Sequence, residues 1–194
     1  MSLYIDIHTH RPSHQHTEPT TIGLHPWYAE TGSLEELDFG SAEMVGEIGL
    51  DFSCKVNRER QIAIFEEQLQ IAERLGKPVI LHCVKAFEPT MLLLEKYKLK
   101  AVIFHGFIGS KEQAKRAIER GYYLSFGERT WQSKKTIEAL QYTPLDRLFI
   151  ETDEAETTIV KQYLEVTQVK RISLSELQQA ITKNYNRIFK HNEQ

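Results

Sequence analysis

The stretch Pro78-Val79-Ile80-Leu81-His82 is an apolar run of the kind that forms a buried strand, and it ends in a histidine. A helical segment at about 88–98 follows it, and Ala101-Val102-Ile103-Phe104-His105 then repeats the pattern. Apolar runs that alternate with helical segments are typical of parallel strands covered by helices. These two runs therefore predict an α/β fold in which buried strands end at histidines.

The same alternation extends along the whole chain of 194 residues. It predicts seven strands, with no internal repeat and no linker, so we expect one domain over residues 1–194. This length is short for a complete eight-stranded α/β barrel. The predicted strands cover 4–10, 20–24, 43–49, 78–82, 101–105, 122–126 and 148–153. The predicted helices cover 57–75, 88–98, 110–121, 133–140, 156–168 and 173–190.

The composition is that of an ordinary globular enzyme, with 41% hydrophobic and 26% charged residues. A net charge of −3 argues against a protein that coats nucleic acid, although it permits contact with phosphates through bound metal ions. Two cysteines, Cys54 and Cys83, are too few for a disulfide framework. No signal peptide or membrane-length apolar run is visible. We therefore expect a cytoplasmic protein with no membrane association and no obligate protein partner.

The N-terminal stretch Tyr4-Ile5-Asp6-Ile7-His8-Thr9-His10 carries the first candidate metal ligands. Alternate side chains of a strand lie on the same side, so Asp6, His8 and His10 share one side. Two imidazoles placed in this way can hold one metal ion. The remaining ligands must come from later in the chain.

Later strands supply such ligands at or near their ends. The carboxyl ends of parallel strands in an α/β barrel form one face, where active sites lie. A single histidine after a strand is usually a structural residue, but six ligand-type residues in this register indicate a site for two divalent metal ions. In such sites the ions lie roughly 3.5–4 Å apart, and Asp153 would serve as both ligand and general base. The six candidate ligands are His8, His10, Glu47, His82, His105 and Asp153.

With these motifs the chain resembles the TatD family of metal-dependent hydrolases. The resemblance rests on Asp6-Ile7-His8-Thr9-His10, Gly23-Leu24-His25-Pro26, Gly46-Glu47-Ile48-Gly49-Leu50-Asp51, the runs ending in His82 and His105, and Glu151-Thr152-Asp153. It implies a distorted TIM-like barrel and 3′-to-5′ deoxyribonuclease activity on phosphodiesters that depends on Mg²⁺ or a similar ion. It also implies one metal ion held by His8, His10, Glu47 and Asp153, and another held by Glu47, His82 and His105.

Two departures from the family pattern concern the substrate side. Only the loop 11–19 stands where the family has a helix, a strand and a second helix, which explains seven strands instead of eight. Asp153-Glu154-Ala155 replaces the family's Asp-Ala-Pro, and the long loop that normally follows is cut short. We therefore expect an intact metal site with a reduced substrate wall. The expected substrate is DNA or a small phosphodiester, and the reduced wall weakens the case for DNA and favours a small molecule.

Three further residues are candidates for substrate binding. His25 could contact a leaving phosphate, or it could cap the turn that it begins. Asp51 could orient a metal ligand or a substrate group, or it could form a turn. Lys85 could bind a phosphate, or it could lie in solvent. Mixed imidazole and carboxylate ligands suit Mg²⁺, Mn²⁺, Zn²⁺ or Ni²⁺ alike. The same ligands also serve hydrolases of small amides, cyclic amides or lactones. A non-catalytic metal-binding barrel is the third interpretation.

Overall fold

The computed structural model describes residues 4–190, which form two compact units. The central unit is Thr20–Phe104, and the terminal unit combines the chain up to Pro19 with the chain from His105 onward. The strands of the central unit are β1 (Thr21–Ile22), β2 (Met44–Asp51), β3 (Val79–Val84) and β4 (Val102–Phe104), and its helices are α1 (Arg58–Leu75) and α2 (Phe87–Leu94). The terminal unit contains β5 (Tyr123–Phe126), β6 (Leu148–Ile150), α3 (Lys111–Glu119), α4 (Lys134–Tyr142), α5 (Ile159–Lys170) and α6 (Leu174–Phe189). Short 3₁₀ helices cover Pro26–Tyr28, Glu128–Gln132 and Leu145–Arg147.

The central unit is built on four parallel strands that pair in chain order. All eight residues of β2 are buried, because strands lie on both sides of it and α1 packs against it. The pairing of β2 with β3 shifts register between Val45 and Ile48. Such an irregularity changes the direction of the side chains around it, and Glu47 lies within it.

Helix α1 begins and ends as the sequence predicts. The side chain of Asn57 accepts a hydrogen bond from the Arg60 backbone N–H, and Gly76 ends the helix in the left-handed conformation. Its buried face carries two glutamines as well as apolar residues. Gln61 accepts from the N–H of Asp51 and donates to its carbonyl oxygen, while Gln68 does the same for Leu24. The helix therefore fixes the backbone of two segments that carry candidate site residues.

In the terminal unit β5 and β6 are parallel, and α6 packs against β6. A capping box lies at the start of α3: Ser110 accepts from the N–H of Gln113, whose side chain accepts from the N–H of Ser110. Ser173 caps α6 through the N–H of Glu176. These serines are the first residues of the predicted helices 110–121 and 173–190, and they set where the two helices begin.

The prediction of a regular strand over 4–10 is wrong, and the described residues form six strands instead of seven. This segment forms two isolated bridges, Ile5 with Thr17 and Thr9 with Asp153. The hydroxyl of Tyr163 also accepts from the N–H of Ile5 and donates to its carbonyl oxygen. The first residues of the segment bond to Thr17, whereas the N–H of Ile7 donates to Ile150 and residues 8–10 bond to Asp153. The segment therefore changes partner along its length and forms no continuous ladder with either one.

The helix lengths agree broadly with the prediction, although α2 ends at Leu94 and not near residue 98. The strands β4 and β6 are shorter than predicted, ending at Phe104 and Ile150. Within residues 4–190, none of the helices combines the length and the apolar character needed to cross a membrane.

Candidate metal centre

In the terminal unit His8, His10 and Asp153 form a cluster of potential metal ligands. The Oδ1 atom of Asp153 lies 3.7 Å from the Nε2 atom of His8 and 3.4 Å from that of His10. His8 is buried, whereas the side chain of His10 is 53% exposed. The cluster therefore has one wall inside the protein and one side open to solvent.

Hydrogen bonds between distant segments hold this cluster. The backbone N–H of Asp153 donates to the carbonyl oxygen of His8, and the N–H of His10 donates to that of Asp153. Asp6 accepts from both the N–H and the hydroxyl of Thr152, at 3.0 and 2.6 Å. Burial raises the pKa of Asp6 to about 7 despite these two hydrogen bonds. Asp153 itself has a φ of 53°, a left-handed conformation that aspartate adopts more readily than most residues.

Glu151 is a further ligand-type residue that lies beside His105. Its Oε1 atom is 3.3 Å from the Nδ1 atom of His105 and accepts from the N–H of Gly106 at 2.6 Å. The pKa of Glu151 is lowered, because attraction to His105 and His8 outweighs the effect of complete burial. Its Oε2 atom is buried with no hydrogen-bond partner among the described residues, and one of its oxygens lies within 4.8 Å of ligand atoms of His105 and Asp153.

The central unit has its own cluster, formed by His25, Glu47 and His82. The Oε1 atom of Glu47 lies 2.7 Å from the Nδ1 atom of His82 and 3.4 Å from the Nε2 atom of His25. Gly49 allows this approach: it has a φ of 137°, and a Cβ atom on it would collide with the carbonyl oxygen of His82. The glycine therefore permits β2 and β3 to lie close enough for Glu47 and His82 to meet.

Asp51, the last residue of β2, contacts the other nitrogen of the His82 ring. Its Oδ2 atom lies 3.2 Å from the Nε2 atom of His82 and accepts from the indole N–H of Trp27 at 2.8 Å. Burial alone would raise the pKa of Asp51, but hydrogen bonds from Ser53 and Trp27 and its contact with His82 lower it to about 2. The carboxylate is therefore ionised and can hold the His82 ring with Nδ1 directed at Glu47.

The structure places the predicted residues in both units. His8, His10, His105 and Asp153 lie in the terminal unit, and Glu47, His82, His25 and Asp51 lie in the central unit. Glu47 and His82 lie inside their strands and not at the ends, and Asp153 follows β6 by three residues. Lys85 is exposed and has a φ of 50°. The ligand atoms of His25, Glu47 and His82 lie within 4.8 Å of one another, so His25 could bind the same metal ion as the other two. Sequence reasoning missed Glu151 and Gln61 as site residues, although Glu151 stands in the quoted Glu151-Thr152-Asp153 motif.

Both clusters have the donor chemistry of a divalent metal site. Imidazole nitrogens and carboxylate oxygens bind such ions at about 2.0–2.2 Å, so ligand atoms around one ion lie roughly 3–3.5 Å apart. The separations of 3.4 and 3.7 Å around Asp153, and of 2.7 and 3.4 Å around Glu47, are near that range. The residues present therefore fit the metal ions that the resemblance implies.

Parallel strands, outer helices and clusters of histidines with carboxylates are typical of barrel-type metal-dependent hydrolases. The comparisons identify the family. The family model described as TatD related DNase matches residues 8–190. The chain is 31% identical to the uncharacterized metal-dependent hydrolase YabD of Bacillus subtilis, covering 88% of this chain and 77% of YabD. The chain therefore belongs to the TatD family of metal-dependent hydrolases.

Two further relatives bear on activity and fold. The 3′-5′ ssDNA/RNA exonuclease TatD of Shigella flexneri is 33% identical over 69% of this chain, which spans 56% of that enzyme. The crystal structure of YjjV, a TatD homologue from Escherichia coli K12, superposes with a TM-score of 0.80 at 27% identity. That match covers 90% of this chain and 78% of YjjV. It confirms the predicted fold class, a distorted TIM-like barrel of parallel strands with outer helices.

Proposed function

We propose that this protein hydrolyses phosphodiester bonds in DNA or a small nucleotide-like substrate, as a 3′-to-5′ exonuclease. The observation that carries the proposal is the terminal cluster, in which the Asp153 carboxylate lies 3.4 Å from His10 and 3.7 Å from His8. This arrangement suits an aspartate that is both a metal ligand and a general base. The relative named as an ssDNA/RNA exonuclease supports nucleic acid as the substrate class.

The proposed ligands divide between the two clusters. His8, His10 and Asp153 hold one divalent ion, Glu47 and His82 hold the other, and His105 completes the set of six. With Mg²⁺, Mn²⁺, Zn²⁺ or Ni²⁺ bound, these residues would hold ions that supply Lewis-acid chemistry, lowering the pKa of a bound water and neutralising phosphate oxygens. We further propose that residues 1–194 act as one cytoplasmic hydrolase domain, since the family model extends through both units.

The protein's own residues then have distinct roles. Asp153 accepts the proton of the attacking water, and its left-handed backbone keeps the carboxylate toward His8 and His10. Glu151 orients the His105 ring through Nδ1, and Asp51 orients the His82 ring through Nε2. His25 and Lys85 remain the proposed contacts to substrate, with His25 also within ligand distance of Glu47. Asp51 is only 3% exposed and its oxygens meet Ser53, Trp27 and His82, so its proposed role is to hold His82.

Digestion of a 5′-end-labelled single-stranded DNA oligonucleotide tests this proposal. With Mg²⁺ or Mn²⁺ we expect a ladder of products shortened from the 3′ end, and no ladder in EDTA or with Asp153→Asn. Glu36→Gln, which changes an exposed carboxylate in the central unit, is the matched control and should digest like the unaltered protein. The absence of a ladder from protein that elemental analysis shows to hold metal would contradict the proposal. Hydrolysis of amide or lactone substrates would then be the reaction to measure.

A further inference from the structure

Two exposed aromatic rings lie beside the central cluster. Trp27 and Tyr28 belong to the 3₁₀ helix Pro26–Tyr28, here called the aromatic turn, and they are 52% and 57% exposed. The centroid of the Trp27 ring lies 4.7 Å from that of His25 and 6.1 Å from that of His82. The centroid of the Tyr28 ring lies 6.4 Å from that of His25. A molecule held at the central cluster would therefore meet these rings.

The backbone of the aromatic turn is fixed within the central unit. The N–H of Trp27 donates to the Nδ1 atom of His25 at 3.2 Å, and the N–H of Tyr28 donates to the His25 carbonyl oxygen at 2.9 Å. Arg60 of α1 donates to the carbonyl oxygen of Ala29 at 3.0 Å, and Ala29 is itself fully buried. The two rings are thus presented by an ordered backbone, which lowers the entropy that a ligand must pay on binding.

The Trp27 ring is also fixed by its own hydrogen bond. The indole N–H donates to the Oδ2 atom of Asp51 at 2.8 Å, and about half of the ring remains in solvent. Tryptophan side chains are mostly buried on average, so a ring that served only to hold Asp51 would be expected to lie covered. A tryptophan with a bound polar edge and an exposed apolar body is typical of a binding surface.

A cation lies at the same end of the sheet. Val84 of β3 pairs with Asp51 of β2, and the next residue, Lys85, is exposed. Sites that bind single-stranded nucleic acid combine positive charge for the phosphates with aromatic rings for the bases. The aromatic turn and Lys85 supply both kinds of group within the central unit.

We infer that the aromatic turn binds an unpaired nucleobase of the substrate, which stacks on Trp27 and Tyr28. Every base has a π face, so this contact accepts any base of a single strand. It disfavours a duplex, in which neighbouring bases already cover those faces. Trp27 and Tyr28 are therefore specificity-determining residues that lie outside the set of proposed metal ligands. The inference rests on the proposed phosphodiesterase function, because it takes the substrate to carry bases.

Fluorescence anisotropy of end-labelled oligonucleotides in EDTA tests the inference without cleavage. The probes are a short deoxyadenylate oligonucleotide and an abasic oligonucleotide of the same length, which carries the same phosphates and no bases. We expect Trp27→Leu to weaken binding of the deoxyadenylate about tenfold, the effect of losing one base–aromatic stack, and to leave abasic binding unchanged. Tyr28→Leu should change the two affinities in the same way. The matched control is Tyr142→Leu, an exposed tyrosine of α4, which should bind both probes like the unaltered protein.

Trp27→Phe separates stacking from the hydrogen bond to Asp51. Phenylalanine keeps an aromatic ring but cannot donate to the carboxylate, so this variant should bind the deoxyadenylate more tightly than Trp27→Leu does. Equal weakening in the two variants would assign the effect to the hydrogen bond and overturn the inference. Equal affinity of the unaltered protein for the two probes, including no measurable binding of either, would also overturn it.

Intrinsic fluorescence gives a measurement in which the aromatic turn is unchanged. Trp27 and Trp131 are the two tryptophans of the chain, so Trp131→Phe leaves Trp27 as the reporter. A base stacked on an indole quenches its fluorescence. We therefore expect quenching by the deoxyadenylate and none by the abasic oligonucleotide. Fluorescence that stays constant at saturating deoxyadenylate would overturn the inference.

The binding results and the digestion of DNA can fail separately. A DNA ladder from the unaltered protein, together with binding that ignores Trp27 and Tyr28, would overturn the inference and leave the phosphodiesterase proposal intact. Base-dependent binding through Trp27, in a protein that yields no ladder, would support the aromatic turn as a base-binding site and contradict the nuclease function.

Discussion

The indole N–H of Trp27 donates to the Oδ2 atom of Asp51 at 2.8 Å. The same oxygen lies 3.2 Å from the Nε2 atom of His82, whose Nδ1 atom lies 2.7 Å from Glu47. A half-exposed aromatic ring is thus joined through one carboxylate to a candidate metal ligand, since Trp27 is 52% exposed. The orientation of His82 therefore depends on residues that do not themselves bind metal.

Asp51→Asn should weaken metal binding by the central cluster. An amide cannot accept from the indole and also hold the His82 N–H through one ionised oxygen, so the ring loses its fixed orientation. Loss of such an outer partner typically costs ten- to a hundredfold in metal affinity, and we expect a decrease of that order. Calorimetric titration of metal-free protein with Zn²⁺ measures it, with Glu36→Gln as the control. Unchanged affinities for all bound ions would show that Asp51 has no such role.

Gly49→Ala should damage the central unit, because the new Cβ atom would collide with the carbonyl oxygen of His82 and the φ of 137° disfavours alanine. We expect a loss of about 3 kcal/mol in the free energy of unfolding. Gly76→Ala is the matched control: its Cβ atom would meet nothing within 4 Å, although its φ is 61°. That variant should lose only about 1 kcal/mol. Urea denaturation of both variants measures the difference, and equal losses would contradict the steric argument.

Tyr163→Phe should destabilise the terminal unit at neutral pH. The hydroxyl bonds to both backbone groups of Ile5, and its removal leaves those buried groups without these partners. The expected loss is about 1–3 kcal/mol in the free energy of unfolding, measured by urea denaturation. A loss within experimental error would show that Ile5 is held by other contacts.

The same tyrosine gives a pH dependence with a defined sign. Burial raises the pKa of Tyr163 above its ordinary value of 10.0, so the folded protein keeps the phenol proton when the unfolded chain has released it. Its stabilising effect is therefore complete below pH 10 and decreases as the pH rises above that value. The stability difference between the unaltered protein and Tyr163→Phe should shrink between pH 9 and 11. A difference that stays constant or grows over this range would contradict the raised pKa.

The parallel strands and most helices could be predicted because their signals are local. The apolar run that ends at His82 lies within the strand that it predicts, and the residues at the predicted starts of two helices, Asn57 and Ser110, cap those helices. The prediction for the N-terminal segment is wrong because its partners are distant in sequence: Ile5 pairs with Thr17, and Thr9 pairs with Asp153. No local pattern distinguishes an isolated bridge from a regular strand.

The candidate site, like the fold, was predictable where the signal is local in the sequence. Histidines and carboxylates in motifs are recognisable in sequence, so five of the six residues in the two clusters can be named as candidate ligands; the sixth, His25, is predicted only as a substrate contact. The role of Gln61 is not predictable, because a buried glutamine on a helix face looks like a solvated residue in sequence. The role of Glu151 is not predictable either, because no local pattern shows that it lies beside His105, a residue distant in sequence. Only the folded chain shows Gln61 bonded to the backbone of Asp51, and Glu151 beside His105.

We propose that the terminal and central clusters each hold one divalent metal ion. Elemental analysis of protein equilibrated with Mn²⁺ and freed of excess ion tests it most directly, using the unaltered chain, His10→Gln in the terminal cluster and His82→Gln in the central cluster. The claim predicts two ions per chain for the unaltered protein and one for each variant, with circular dichroism unchanged. One ion or none in the unaltered chain, or two ions in either variant, would contradict it.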